Sequence, residues 1–152
     1  MRIRSATRGG IDDFLGQKRL AVVGVSRNEK DYSRMVFRDL VKRGYDAVPV
    51  NPSASDIEGL RCYSRVTDVS PSVDGVLVLL PTKSAATAVD DCVEAGVTRV
   101  WLRNDVPNAR ELCAQHGIAL VSGYCPFMFL PKGAFFHQCH AFGLRVAGRY
   151  PA

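Results

Sequence analysis

Two apolar runs with no polar interruption, Leu20-Ala21-Val22-Val23 and Val76-Leu77-Val78-Leu79-Leu80, set the tightest limit on what this chain can become. A strand with one face in water alternates polar and apolar side chains, so an unbroken run needs cover on both faces. The first run stops at Gly24 and the second at Pro81. Between them Met35, Val36, Leu40 and Val41 recur at helical spacing, with Arg34, Arg38, Asp39, Lys42 and Arg43 interspersed, and Gly44 follows as a C-terminal cap. That spacing predicts an amphipathic helix carrying those four apolar residues on one stripe.

The rhythm then repeats. Tyr45 to Val50 reads as a second strand, closed by Asn51-Pro52 because proline cannot donate to a ladder. Gly59 to Tyr63 reads as a short edge strand and Val66 to Val69 as a helical turn. After the strand Val73 to Leu80 come a helix from Ser84 to Ala95, a strand from Val97 to Leu102, a helix from Pro107 to His116 and a last strand from Ile118 to Ser122. Strands alternating with helices at this spacing imply βαβ units with right-handed crossovers. The expected architecture is α/β: a Rossmann-like, doubly wound, mostly parallel sheet of about five strands with helices on both faces.

A chain of 152 residues suits one domain, 1–152, with its core at about 15–125. Ahead of the core, Arg2, Arg4 and Arg8 form a basic arm that Gly9-Gly10 separates from a short helix at Ile11 to Leu15. Behind it, 126–152 is rich in aromatics (Phe127, Phe129, Phe135, Phe136, Phe142), and Gly133 to Val146 is expected to form a helix. That extension is expected to pack on the core or on a second copy in a homodimer. The longest apolar runs are far shorter than the roughly 20 residues of a membrane span, and no export signal is visible. Five cysteines, an odd number without a C-x-x-C pair, argue against a disulfide framework and point to the reducing cytoplasm.

The net charge of +5 suits either a nucleic acid or a phosphorylated small molecule. Position decides between them. Ligands of an open α/β sheet bind outside the carboxyl ends of its strands. The first strand's end carries Gly24-Val25-Ser26-Arg27-Asn28-Glu29-Lys30-Asp31-Tyr32-Ser33, followed by Arg34. Arg27, Lys30 and Arg34 add cations, and Ser26 and Ser33 add hydroxyls, where a helix N-terminus already favours an anion. The other arginines are dispersed, which disfavours nucleic acid. The loop is not G-x-G-x-x-G, and the second strand ends in Val50-Asn51-Pro52 without the carboxylate that holds a dinucleotide ribose. An NAD(P)-linked oxidoreductase is therefore the weaker alternative.

Four stretches, Ala21 to Arg27, Gly44-Tyr45-Asp46-Ala47-Val48-Pro49-Val50-Asn51-Pro52, Val73 to Val78 and Val100-Trp101-Leu102, come in an order and spacing that resembles a known family. It is that of the small stand-alone CoA-binding proteins, whose domain is similar to the N-terminal domain of the succinyl-CoA synthetase alpha subunit. The resemblance covers about 15–125 and implies coenzyme A or an acyl-CoA as ligand. It implies Gly24, Ser26 and Arg27 beside the nucleotide phosphates, Val50, Asn51 and Pro52 as a floor under the adenosine, and Pro81 and Thr82 flanking the ligand. With the remaining strand-end residues Val25, Lys30, Ser33, Arg34 and Arg103, these form the expected binding set. Many relatives carry a basic residue after the N-P turn. Here Ser53-Ala54-Ser55 follows it, so contact with the ribose 3′-phosphate is expected to fall to Arg27 or Lys30.

Catalytic signatures such as G-x-S-x-G, H-E-x-x-H or a Walker loop are missing from the sequence. Cys125 is the cysteine best placed to meet a ligand thiol, though an inert thiol is the expectation. On a helix His137 and His140 would share a face, but a metal needs a third or fourth ligand, and the resemblance gives them no role, because the synthetases' phosphohistidine lies in a further domain. One sheet nearly uses up the chain. The expectation is a CoA-binding or sensing module without catalytic residues, taking a small-molecule ligand and engaging neither nucleic acid nor membrane.

Overall fold

The computed structural model describes residues 7–130. Its elements run α1 (Arg8–Leu15), β1 (Arg19–Val23), α2 (Tyr32–Lys42), β2 (Asp46–Val50), β3 (Asp56–Ile57), β4 (Leu60–Arg61), a 3-10 turn at Val66–Asp68, β5 (Gly75–Val78), α3 (Thr82–Glu94), β6 (Arg99–Leu102), α4 (Ala109–Gln115), β7 (Ala119–Ser122) and a 3-10 turn at Pro126–Met128. Five strands form one sheet in the order β2-β1-β5-β6-β7, and every pair in it is parallel. The expected doubly wound α/β fold is present. The segment 131–152, on which the expected Gly133 to Val146 helix, Cys139, His137 and His140 fall, lies outside the described residues, as do Arg2 and Arg4 of the expected basic arm.

Alternation along each buried strand sorts the core into two layers. Leu20, Val22, Leu77, Trp101 and Val121 point to the face covered by α1 and α2, where Ile11, Phe14, Phe37 and Leu40 meet them. Ala21, Val23, Val76, Val78, Val100 and Leu102 point to the face covered by α3 and α4, against Ala85, Val89, Cys92 and Cys113. Burying a Val or Leu side chain contributes about 1.5–3 kcal/mol, so covering both faces explains why these strands tolerate no polar residue. Trp101 anchors the first layer: Phe14 packs edge-on at 5.4 Å, Phe129 lies at 5.8 Å, and the indole N–H donates to the Tyr124 carbonyl at 2.9 Å. Phe127 and Phe129 thus begin the extension by packing back toward the core.

Three local expectations need correction. Gly9 and Gly10 do not separate an arm from α1; they lie in its first turn, which Thr7 caps by accepting from the Gly10 N–H at 3.1 Å. The stripe of α2 is rotated, with Met35 53% and Val41 41% exposed, while Val36, Phe37 and Leu40 are buried together with Arg34. Burial of Arg34 is made tolerable by Glu58, a partner 24 residues away that no local periodicity reveals. Finally, Leu60–Arg61 pairs with Asp56–Ile57 in a separate antiparallel hairpin, and only Tyr63 extends the main sheet, through a bridge to Val50. No helix among the described residues is long and apolar enough to cross a membrane.

Candidate functional site

The chain leaves β1 toward β2 on one side and later adds β5 on the other, so the strand order reverses at β1. The carboxyl ends of β1 and β5 splay apart at such a point and leave a crevice. Gly24 makes the turn out of β1 at φ +92°, and a Cβ there would lie 2.7 Å from the Leu80 side chain. Both the backbone angle and the close approach demand glycine. The Gly24 N–H donates to the Val50 carbonyl at 3.0 Å. Asn51 locks the two strand ends together: its Nδ2 donates to the Val25 carbonyl at 2.9 Å and its Oδ1 accepts from the Ser53 N–H at 2.8 Å.

Over this junction lies a cleft of about 450 Å³, the size of a small-molecule site. Its near side is Val23, Gly24, Ser26, Val50, Asn51 and Pro52; its far side is Ser64, Arg65 and Val66 with Ser84, Thr87 and Asp91 of α3. Apolar strand ends thus form the base, and hydroxyls, an amide, one guanidinium and the Asp91 carboxylate paired with it surround the mouth. Arg65 reaches Asp91 at 2.6 Å and Glu94 at 3.4 Å, which holds its cation at the rim.

The first loop is braced from within. Ser33 Oγ accepts from the Ser26 N–H at 2.9 Å and donates to Asp31 at 2.5 Å, while Ser26 Oγ accepts from the Asn28 N–H and Asn28 Oδ1 from the Lys30 N–H. Asp31 caps α2 by accepting from the Ser33 N–H, and the Ser33 hydroxyl followed by that N–H hold its carboxyl below the usual range. The protein's own carboxylate therefore occupies the α2 N-terminus. Ser33 and Arg34 are buried among loop contacts, and Lys30 is exposed. Arg34 donates to the Ser26 and Arg27 carbonyls at 3.1 and 3.2 Å and pairs with Glu58, which Arg38 also grips at 2.8 Å. Hydrogen bonds from Arg38 and then Arg34 hold the Glu58 carboxyl down at about 2.

Arg27 stands in a polar depression of about 340 Å³ shared with Arg34, Ser53, Ser55 and two carboxylates, Asp56 and Glu58. Because Ser26 and Pro52 line the cleft while Arg27 and Ser53 line the depression, the two hollows abut across consecutive residues. Pro81 and Thr82 sit at the start of α3, exposed, with the Thr82 hydroxyl donating to the Asp105 carbonyl at 3.2 Å. Arg103 lies apart, its guanidinium 4.3 Å from the Tyr32 ring centre. The Tyr32 hydroxyl is hydrogen-bonded to Cys125 Sγ at 2.7 Å, and burial, reinforced by that thiol, pushes the phenol up. Cys92 is pushed up to about 12, by burial above all, which makes it a packing residue. Among the described residues no group of three or more His, Cys, Asp or Glu side chains is placed to hold a metal ion.

Of the residues expected from sequence, Gly24, Ser26, Val50, Asn51 and Pro52 line one cleft, with Arg27 in the adjoining hollow. Val25 is fully buried beneath the loop, Ser33 and Arg34 brace it, and Arg103 faces Tyr32. Sequence reasoning missed Arg65, Thr87 and Asp91, which reach the cleft through the irregular segment after β4 and the outer turns of α3. Asp31 had a readable signal, an aspartate one residue before the helix, where a cap belongs.

Comparisons with known proteins show the family and the fold. Residues 18–131 match a family model described as the CoA binding domain. The alpha subunit of an ADP-forming acetate–CoA ligase II from Pyrococcus furiosus is 29% identical over 91 residues, 59% of this chain and 20% of that protein. The chain thus spans about a fifth of the length of that curated relative. A solved conserved hypothetical protein from Pyrococcus furiosus superposes with a TM-score of 0.68 at 29% identity, covering 73% of this chain and 97% of that one. A hypothetical protein from Pyrococcus horikoshii gives a TM-score of 0.76 at 25% identity, with coverages of 82% and 89%.

Proposed function

The chain belongs to the CoA-binding domain family, and on that premise we propose that it binds coenzyme A or an acyl-CoA in the cleft at the β1–β5 switch point. The observation that carries this reading is the convergence of the Gly24 loop and the Val50-Asn51-Pro52 turn on one cleft, with the Arg27 hollow beside it. An apolar base suits an adenosine, and Gly24, which tolerates no side chain, brings backbone close to a diphosphate. Arg27, Ser53 and Ser55 supply a cation and hydroxyls in the adjoining hollow, where Arg34 offsets Glu58 and Asp56 lies alongside, and the ribose 3′-phosphate is to be read there in place of a basic residue after the N-P turn. Ser33, Arg34 and Asn51 hold these groups in position. Pro81 and Thr82, which lie in the chain between the cleft residues Leu80 and Ser84, are proposed to flank the bound ligand.

We read the module as one that binds or senses its ligand rather than transforming it. Calorimetric titration with CoA, dephospho-CoA, NAD and ATP tests the reading. CoA is expected to bind most tightly, with dephospho-CoA weaker; binding of NAD or ATP at least as tight as CoA overturns it.

A further inference from the structure

Glu58 sits on the turn of the β3–β4 hairpin, remote in sequence from the loop after β1, at φ 52° and followed by Gly59 at φ 75°. Two consecutive left-handed residues make a tight two-residue turn that projects this carboxylate at α2. There it is shared by two guanidinium groups. Arg34 meets it through Nε at 3.1 Å and through Nη2, and Arg38 through Nε at 2.8 Å and Nη2 at 3.3 Å. Each arginine then spends its Nη1 on the loop. Arg34 takes the carbonyls of Ser26 and Arg27, and Arg38 takes that of Glu29 at 3.1 Å. Three carbonyl oxygens of the loop are therefore drawn toward one edge.

In a trans peptide the N–H points opposite to the C=O of the same plane. Pulling those three oxygens inward turns the N–H groups of Arg27, Asn28 and Lys30 the other way. Asn28 and Lys30 satisfy theirs with the Ser26 and Asn28 side chains. The Arg27 N–H has no hydrogen-bond acceptor among the described residues. It is a donor held open, and it belongs to the residue whose cation lines the polar hollow.

We propose that Glu58 is a positioning residue for anion binding: through Arg34 and Arg38 it fixes the loop that carries Arg27, so that the open N–H and the guanidinium of Arg27 are held available to phosphate groups of the ligand. This rests on the reading that the ligand is CoA. Glu58 lines the same hollow as Arg27, with Asp56 and Ile57 of its hairpin, and as a carboxylate it acts there through the two arginines and not as a partner of the phosphate. Plain electrostatics predicts the opposite effect of removing Glu58, because loss of a negative charge near an anion site raises anion affinity. The sign of the change therefore separates the two accounts.

The test uses Glu58→Gln, which keeps the shape and loses the charge, with Arg34→Met and the double variant. CoA affinity is measured by calorimetry, and amide hydrogen exchange of residues 26–30 is measured in the free proteins. Glu58→Gln is expected to weaken CoA binding by roughly tenfold, to speed exchange in the loop, and to add little in the Arg34→Met background. Unchanged or tighter CoA binding, or an equal further loss in the double variant, overturns the proposal. Should the wild-type protein not bind CoA, the reading above falls by itself, and unaltered loop exchange in Glu58→Gln overturns the positioning role separately.

Discussion

The Asn51 amide donates to the Val25 carbonyl across the ends of β2 and β1, at 2.9 Å. Val25 is fully buried, so its oxygen has no easy recourse to water once that donor goes. Asn51→Ala is expected to destabilise the protein by about 1–3 kcal/mol, read as a lower urea midpoint with an unchanged slope. Asn51→Asp is expected to be at least as damaging, because a carboxylate cannot donate. Unchanged stability in both variants contradicts the tie.

Gly24 adopts φ +92° with the Leu80 side chain against the missing Cβ. Gly24→Ala combines a disfavoured backbone angle with a steric clash, each costing on the order of 1–3 kcal/mol. Its thermal midpoint is expected to fall by several degrees, and CoA affinity with it. A midpoint equal to wild type means that the loop relaxes without cost.

Arg27 contrasts with these two. Its side chain is exposed and lines the polar hollow rather than the core. Arg27→Ala is expected to leave the melting temperature of the free protein nearly unchanged and to weaken CoA roughly tenfold or more, the usual weight of a charge-assisted hydrogen bond. Dephospho-CoA is expected to lose less. Equal affinity of wild type and variant for CoA removes Arg27 from the site.

Glu58 sets a pH window. Its carboxyl is held at about 2 in the folded protein against an ordinary 4.5, so the unfolded chain binds the proton more readily. The stabilisation by Arg38 and Arg34 is fully present above about pH 4.5 and is lost as pH falls toward 2. Urea unfolding between pH 6 and 2.5 is expected to show a steeper stability loss in wild type than in Glu58→Gln. Parallel curves contradict the clip.

Much of this was legible in the sequence, and the reasons for the rest are physical. β1 and β5 were readable because burial on both faces leaves only apolar residues, and their order with the helices fixed the α/β sheet. Gly24 and Val50-Asn51-Pro52 were readable because strand ends carry ligands in such sheets. The inward face of α2 was not readable, since Arg34 is buried by grace of Glu58 and Met35 stays exposed, a long-range exchange that helical periodicity does not contain. Arg65 escaped for the same reason: its place at the cleft depends on how an irregular segment packs on α3 and on Asp91, not on its sequence neighbours.

Backbone amide shift mapping by NMR on addition of CoA tests most directly whether the cleft at the β1–β5 ends is the binding site. The account predicts saturable shifts concentrated at Gly24 to Arg27, Val50-Asn51 and Ser64 to Val66, with α4 and the exposed face of α2 silent. No saturable shifts, or shifts centred elsewhere, contradict it.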